Sequence, residues 1–76
     1  MPTLHSDNYI LIEPATEKSI ARWLKVRSHN RRVWIRISRD YPDERYIVLA
    51  KAGEAPVTTG VFLGKLLFEP AEEWFR

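Results

Sequence analysis

Hydrophobic and polar positions change their period several times along the chain. "YILIEP" (9–14) is a short apolar run closed by a proline. It reads as a buried strand that ends where the chain loses a ladder donor. From 15 to 30, "ATEKSIARWLKVRSHN", the period becomes helical. Ile20, Trp23 and Leu24 form one apolar stripe, and Lys18, Arg22, Lys25 and His29 fall on the opposite side. Thr16 is the expected N-cap, Glu17 suits the positive first turn, and Asn30 is the expected stop. Arg27 lands on the apolar side, which either weakens the last turn or implies that its stem packs while its head escapes to water.

"RRVWIRISR" (31–39) and "RYIVLAK" (45–51) predict a β-hairpin, joined by the type I turn chemistry of Tyr41-Pro42-Asp43-Glu44. The first strand alternates cleanly. Val33, Ile35 and Ile37 face the core, and Arg32, Trp34, Arg36 and Ser38 face away. The second strand is apolar at nearly every position, so loop parity decides its faces. A four-residue loop (Tyr41 to Glu44) pairs Asp40 with Arg45 and sets Ile47 and Leu49 beside Trp34 and Arg36. A five-residue loop pairs Ile35 with Leu49 and moves Tyr46 to the arginine side. The opposite-charge pair favours the four-residue version.

"AGEAPVTTG" (52–60) is a loop by composition. "VFLGKLLF" (61–68) suits a strand or a helix, and Val61, Phe62 and Gly64 tip it toward a strand or an irregular buried segment. In "EPAEEWFR" (69–76), Pro70 at the first helical position and Glu72 and Glu73 in the first turn predict a short C-terminal helix. Residues 1–8 are a polar lead-in. The order is β-α-β-β-(β)-α. This predicts one small α+β domain over 1–76, with a mainly antiparallel sheet and a helix packed on one face.

Composition adds limits. Seventy-six residues stand near the lower bound of what folds unaided. A hydrophobic fraction of 45% is too high for intrinsic disorder. With no cysteine, disulfides, thiolate metal sites and a Cys nucleophile are excluded, and a reducing, cytoplasmic setting is expected. "MPTLHSDNYI" lacks the basic region and apolar run of a secretory leader, and no stretch is long enough to cross a bilayer, so no membrane partner is expected. The initial Met and the lack of a tag scar are those expected of a complete small reading frame.

The net charge is +2, unevenly spread. Residues 1–51 carry ten Lys and Arg against six Asp and Glu, whereas residues 52–76 carry two against four. The longer part of the chain is therefore basic, which suits an anionic partner.

Signatures of catalysis are missing. The three glycines, Gly53, Gly60 and Gly64, are scattered, so there is no phosphate loop. His5 and His29 lie far apart, and no carboxylates show metal-ligand spacing. Glu72 and Glu73 are a dipole-complementing first turn. The expectation is a protein that is not an enzyme and has no cofactor and no metal.

Two candidate surfaces remain. One is basic: Arg22, Lys25, Arg31, Arg32, Arg36, Arg39 and Arg45, with Trp34 among them. Arginine makes bidentate contacts to phosphate, and aromatics interleaved with arginine on a sheet suit nucleic acid. The other is the C-terminal Trp74–Phe75 pair, which either closes the core or anchors a protein partner. The expected function is a small regulator that docks the Arg/Trp face on DNA, RNA or a nucleoprotein. The alternative is a small inhibitor or adaptor, of the phage or plasmid kind, that blocks a partner protein.

Overall fold

The computed structural model describes residues 8–26, 30–58 and 64–75. In chain order they form strand β1 (Tyr9–Pro14), helix α1 (Glu17–Lys25), strands β2 (Arg31–Ser38), β3 (Arg45–Lys51) and β4 (Leu66–Pro70), and a 3₁₀ helix over Ala71–Phe75. A four-stranded antiparallel sheet in the order β1-β3-β2-β4 and one α-helix make a small α+β fold. The lead-in 1–7, the helical turn expected over 27–29 with Arg27 and His29, residues 59–63 with Val61 and Phe62, and the side chain of Phe75 lie outside the described residues.

Thr16 caps α1. Its hydroxyl accepts from the Ser19 amide at 3.1 Å, and the Ser19 hydroxyl accepts from the Thr16 amide at 2.8 Å. This reciprocal box satisfies two donors that an uncapped helix would strand. The helix stops at Lys25, with Val26 already extended, five residues short of the expected stop. Asn30 instead takes a left-handed φ of 56° just before β2, and its carbonyl accepts from Ala52 at 2.8 Å. Asparagine tolerates that conformation better than most residues.

The apolar stripe of α1 meets the β2 face predicted for it. Ile20, Val33, Ile35, Ile47, Leu49 and Ala71 form the buried cluster, with Ile12, Trp23, Leu24, Ile37 and Trp74 packed around it. The hairpin register corrects the favoured version. β2 pairs with β3 as Ile37↔Arg45, Ile35↔Ile47 and Val33↔Leu49. Its parity is that of the five-residue alternative, and seven residues, 38–44, connect the pairs. The turn itself sits where expected, with Glu44 N–H donating to the Tyr41 carbonyl at 2.8 Å. Ser38 displaces the last pairs: its hydroxyl accepts from the Tyr41 amide at 3.2 Å, and its backbone position pairs with Leu66 of β4. Core burial of Ile47 and Leu49 outweighs one exposed Asp40–Arg45 pair.

The C-terminal segment also differs from expectation. Leu66–Pro70 is an edge strand against β2, and only Ala71–Phe75 is helical, as a 3₁₀ turn. Pro70 ends the strand at a sheet edge, where its missing donor costs nothing.

Candidate functional site

β2 carries most of the candidate residues, and the sheet sorts them by alternation. Arg32, Trp34 and Arg36 face away from α1. Their cross-strand neighbours are Ala50, Val48 and Tyr46 of β3. This second face is not open. Val48 and Ala50 are fully buried, and Pro56 and Thr58 of the following loop are buried. The loop is tied to the start of β1. The Asn8 carboxamide donates to the Ala55 carbonyl at 3.0 Å and accepts from the Val57 amide at 2.6 Å. The Tyr9 hydroxyl shares a 2.8 Å hydrogen bond with that of Thr58. The Tyr9 ring meets Phe68 of β4 edge-on, 5.2 Å between centroids.

On this face, the strap side, Trp34 and Arg36 are half-buried. The Trp34 indole N–H is buried with no acceptor among the described residues. The Arg36 guanidinium lies 5.3 Å from the centre of the Tyr46 ring and reaches the Tyr9 hydroxyl at 3.5 Å. The Arg/Trp face is therefore a small second packing layer with polar members, and Trp34 is not laid open as a platform for bases.

The remaining candidates fall in three places. Arg22 of α1 is paired with Glu13 of β1 at 2.5 Å. A bulge between Leu11 and Glu13 turns Glu13 toward the helix, where it also accepts from the Trp23 indole. The Arg22 guanidinium, then the Trp23 N–H, hold the Glu13 carboxyl below the usual carboxylate range. Arg39 and Arg45 lie at the hairpin end. The Arg39 amide donates to the Lys65 carbonyl at 2.8 Å, and Arg45 lies on the α1 side with its guanidinium 4.7 Å from the Trp74 ring centre. Trp74 packs against the core cluster, which fits the core-closing role of the tail.

Arg31 and Arg32 stand at the opposite end of the sheet, and Lys25 is the exposed last residue of α1. Arg31 stands directly across from Lys51 in the β2–β3 register. Leu24, Val26, Arg31, Arg32 and Glu72 line one open cavity of about 310 Å³, and Lys25 does not line it. The Arg32 guanidinium lies 5.1 Å from the Trp34 ring centre and 3.5 Å from the exposed Glu72 carboxylate. Among the described residues, neither Arg31 nor Lys51 has a carboxylate within 4 Å. Lys51 escaped the sequence reading because its importance depends on the register. Tyr9 and Thr58 escaped it because nothing local links positions 49 residues apart.

No helix among the described residues is long and apolar enough to cross a membrane. No family model matches the chain, and no curated protein or solved structure matches it.

Proposed function

We propose that the chain is a non-enzymatic binding module that docks the basic end of its hairpin on the phosphates of a nucleic acid or nucleoprotein. One observation carries this reading: the cross-strand pair Arg31–Lys51, two cations opposite each other with no carboxylate within 4 Å among the described residues. Like charges in that position cost stability. A phosphate between them turns the cost into charge-assisted hydrogen bonds. Arg32, beside Arg31 in the same cavity lining, extends the site, so a backbone would cross three cations. The packing of Trp34 favours phosphate contact over base stacking, and hence weak sequence preference. The absence of cysteine supports a cytoplasmic setting.

Titration of a labelled single-stranded oligonucleotide at low salt tests the proposal. The wild type should bind saturably. The double variant Arg31→Gln/Lys51→Gln should lose about tenfold or more in affinity, while its melting temperature holds or rises as the repulsion is removed. Glu72→Gln should bind more tightly, because Arg32 loses its competing carboxylate. Equal affinity of wild type and double variant would overturn the reading.

A second reading rests on β1. This edge strand exposes Ile10 at 44% and Leu11 at 50%. Such an edge can accept a strand from a partner protein, as a small inhibitor or adaptor would use it. Binding of that kind would change little with salt.

A further inference from the structure

The hairpin end of the strap-side face holds a cavity of about 330 Å³, the volume of a small-molecule site. Its inner wall is Tyr9, Arg36, Ser38 and Thr58, all buried or half-buried. Its rim holds exposed Asp40, Glu44 and Lys65. The two zones carry opposite charge: Arg36 makes the floor positive, and two carboxylates against one ammonium make the rim negative.

Arg36 is the anchor of the argument. It is half-buried, and among the described residues no carboxylate lies within 4 Å of it. Among the described residues its contacts include the Tyr46 ring and one long contact to the Tyr9 hydroxyl. A guanidinium has five N–H donors in a fork that matches a carboxylate. Among the described residues most of those donors have no partner, beside a cavity whose wall adds the Ser38 and Thr58 hydroxyls. Asp40 and Glu44 are close in sequence to the floor but do not reach any cation within 4 Å among the described residues. Opposite charges held apart across a cavity suit a ligand that carries both.

We propose that this cavity binds a small zwitterion of amino-acid size, with its carboxylate on Arg36, its ammonium toward Asp40 and Glu44, and an apolar side chain against Leu66. The site is remote from the Arg31–Lys51 end, so it stands whether or not nucleic acid binds there.

The test is an amide chemical-shift titration of the full chain with three probes. L-Leucine carries both charges, 4-methylpentanoate lacks the ammonium, and 3-methylbutylamine lacks the carboxylate. Leucine should shift the Tyr9, Arg36, Ser38 and Tyr41 amides saturably, and each truncated probe should bind about tenfold more weakly, since each forfeits one charge-assisted contact. Arg36→Gln should reduce leucine to the affinity of the amine. Arg36 also packs on Tyr46, so a second variant is needed at exposed positions: Asp40→Asn/Glu44→Gln should keep the melting temperature and reduce leucine to the affinity of the acid. No saturable shift with leucine up to about 10 mM, the weak end of specific binding, would overturn the proposal. So would leucine binding no better than either truncated probe.

Discussion

The two faces of the sheet share the same strands and differ in almost everything else. On the α1 side, Ile20, Val33, Ile35, Ile47 and Leu49 make one apolar cluster. On the strap side, fully buried Val48 and Ala50 sit beside Trp34, Arg36, Tyr46 and the Tyr9–Thr58 hydrogen bond. β3 is buried on both faces, so "IVLA" (47–50) is a continuous apolar run. The first face holds the fold together through area removed from water. The second accepts polar groups and a cavity at some cost in packing, and that is where a ligand could be bound. One face of so small a domain must supply the core, which leaves for function the strap side and the exposed end of the sheet at Arg31 and Lys51.

Neighbouring positions on β3 give the most direct break of this comparison. Ile47→Ala, on the α1 side, should cost about 3–4 kcal/mol, enough to lower the melting temperature by roughly 15–25 °C. Val48→Ala, equally buried on the strap side, should cost about 2 kcal/mol. Urea unfolding of both variants measures the difference. Equal losses would mean that the strap side is a second core of the same quality.

The strap gives the next effect in size. Tyr9→Phe leaves the buried Thr58 hydroxyl without its partner and should cost about 1–2 kcal/mol. Adding Thr58→Val should recover part of that loss, because the pair then lacks a stranded polar group. A strictly additive double variant would show that the hydrogen bond does not hold the strap.

The smallest effect belongs to Glu13. Its folded pKa is depressed, so its pairing with Arg22 and Trp23 stabilises the fold above the ordinary carboxylate range and is lost as pH falls through the folded value. Wild type should therefore lose stability on acidification slightly faster than Glu13→Gln. Parallel stability curves for the two from neutral pH into the acid range would count against the pair.

How much of this was legible in the sequence depended on how sharply each segment alternates. Val33, Ile35 and Ile37 recur at every second position of "RRVWIRIS", so the core face of β2 was readable. Ile20, Trp23 and Leu24 named the packing face of α1, and Thr16 its cap. "YIVLA" is apolar throughout, so it contained no parity signal, and the Asp40–Arg45 pair pointed to the wrong register. That error hid the Arg31–Lys51 opposition, which exists only in the observed pairing. It also hid the split of the basic candidates. Arg36 belongs to the strap side, Arg45 to the α1 side and Arg22 to Glu13, while Arg31 and Arg32 share one cavity. The strap was illegible because Asn8 and Tyr9 reach residues that composition marks only as loop.

The salt dependence of oligonucleotide binding tests the central claim most directly. Three phosphate contacts to a single strand predict a slope of about −2 in log affinity against log salt. Arg31→Gln/Lys51→Gln should make that slope shallower by about 1.4, the share of two contacts. A slope near zero, or one that the double variant leaves unchanged, would contradict a docking site at Arg31 and Lys51.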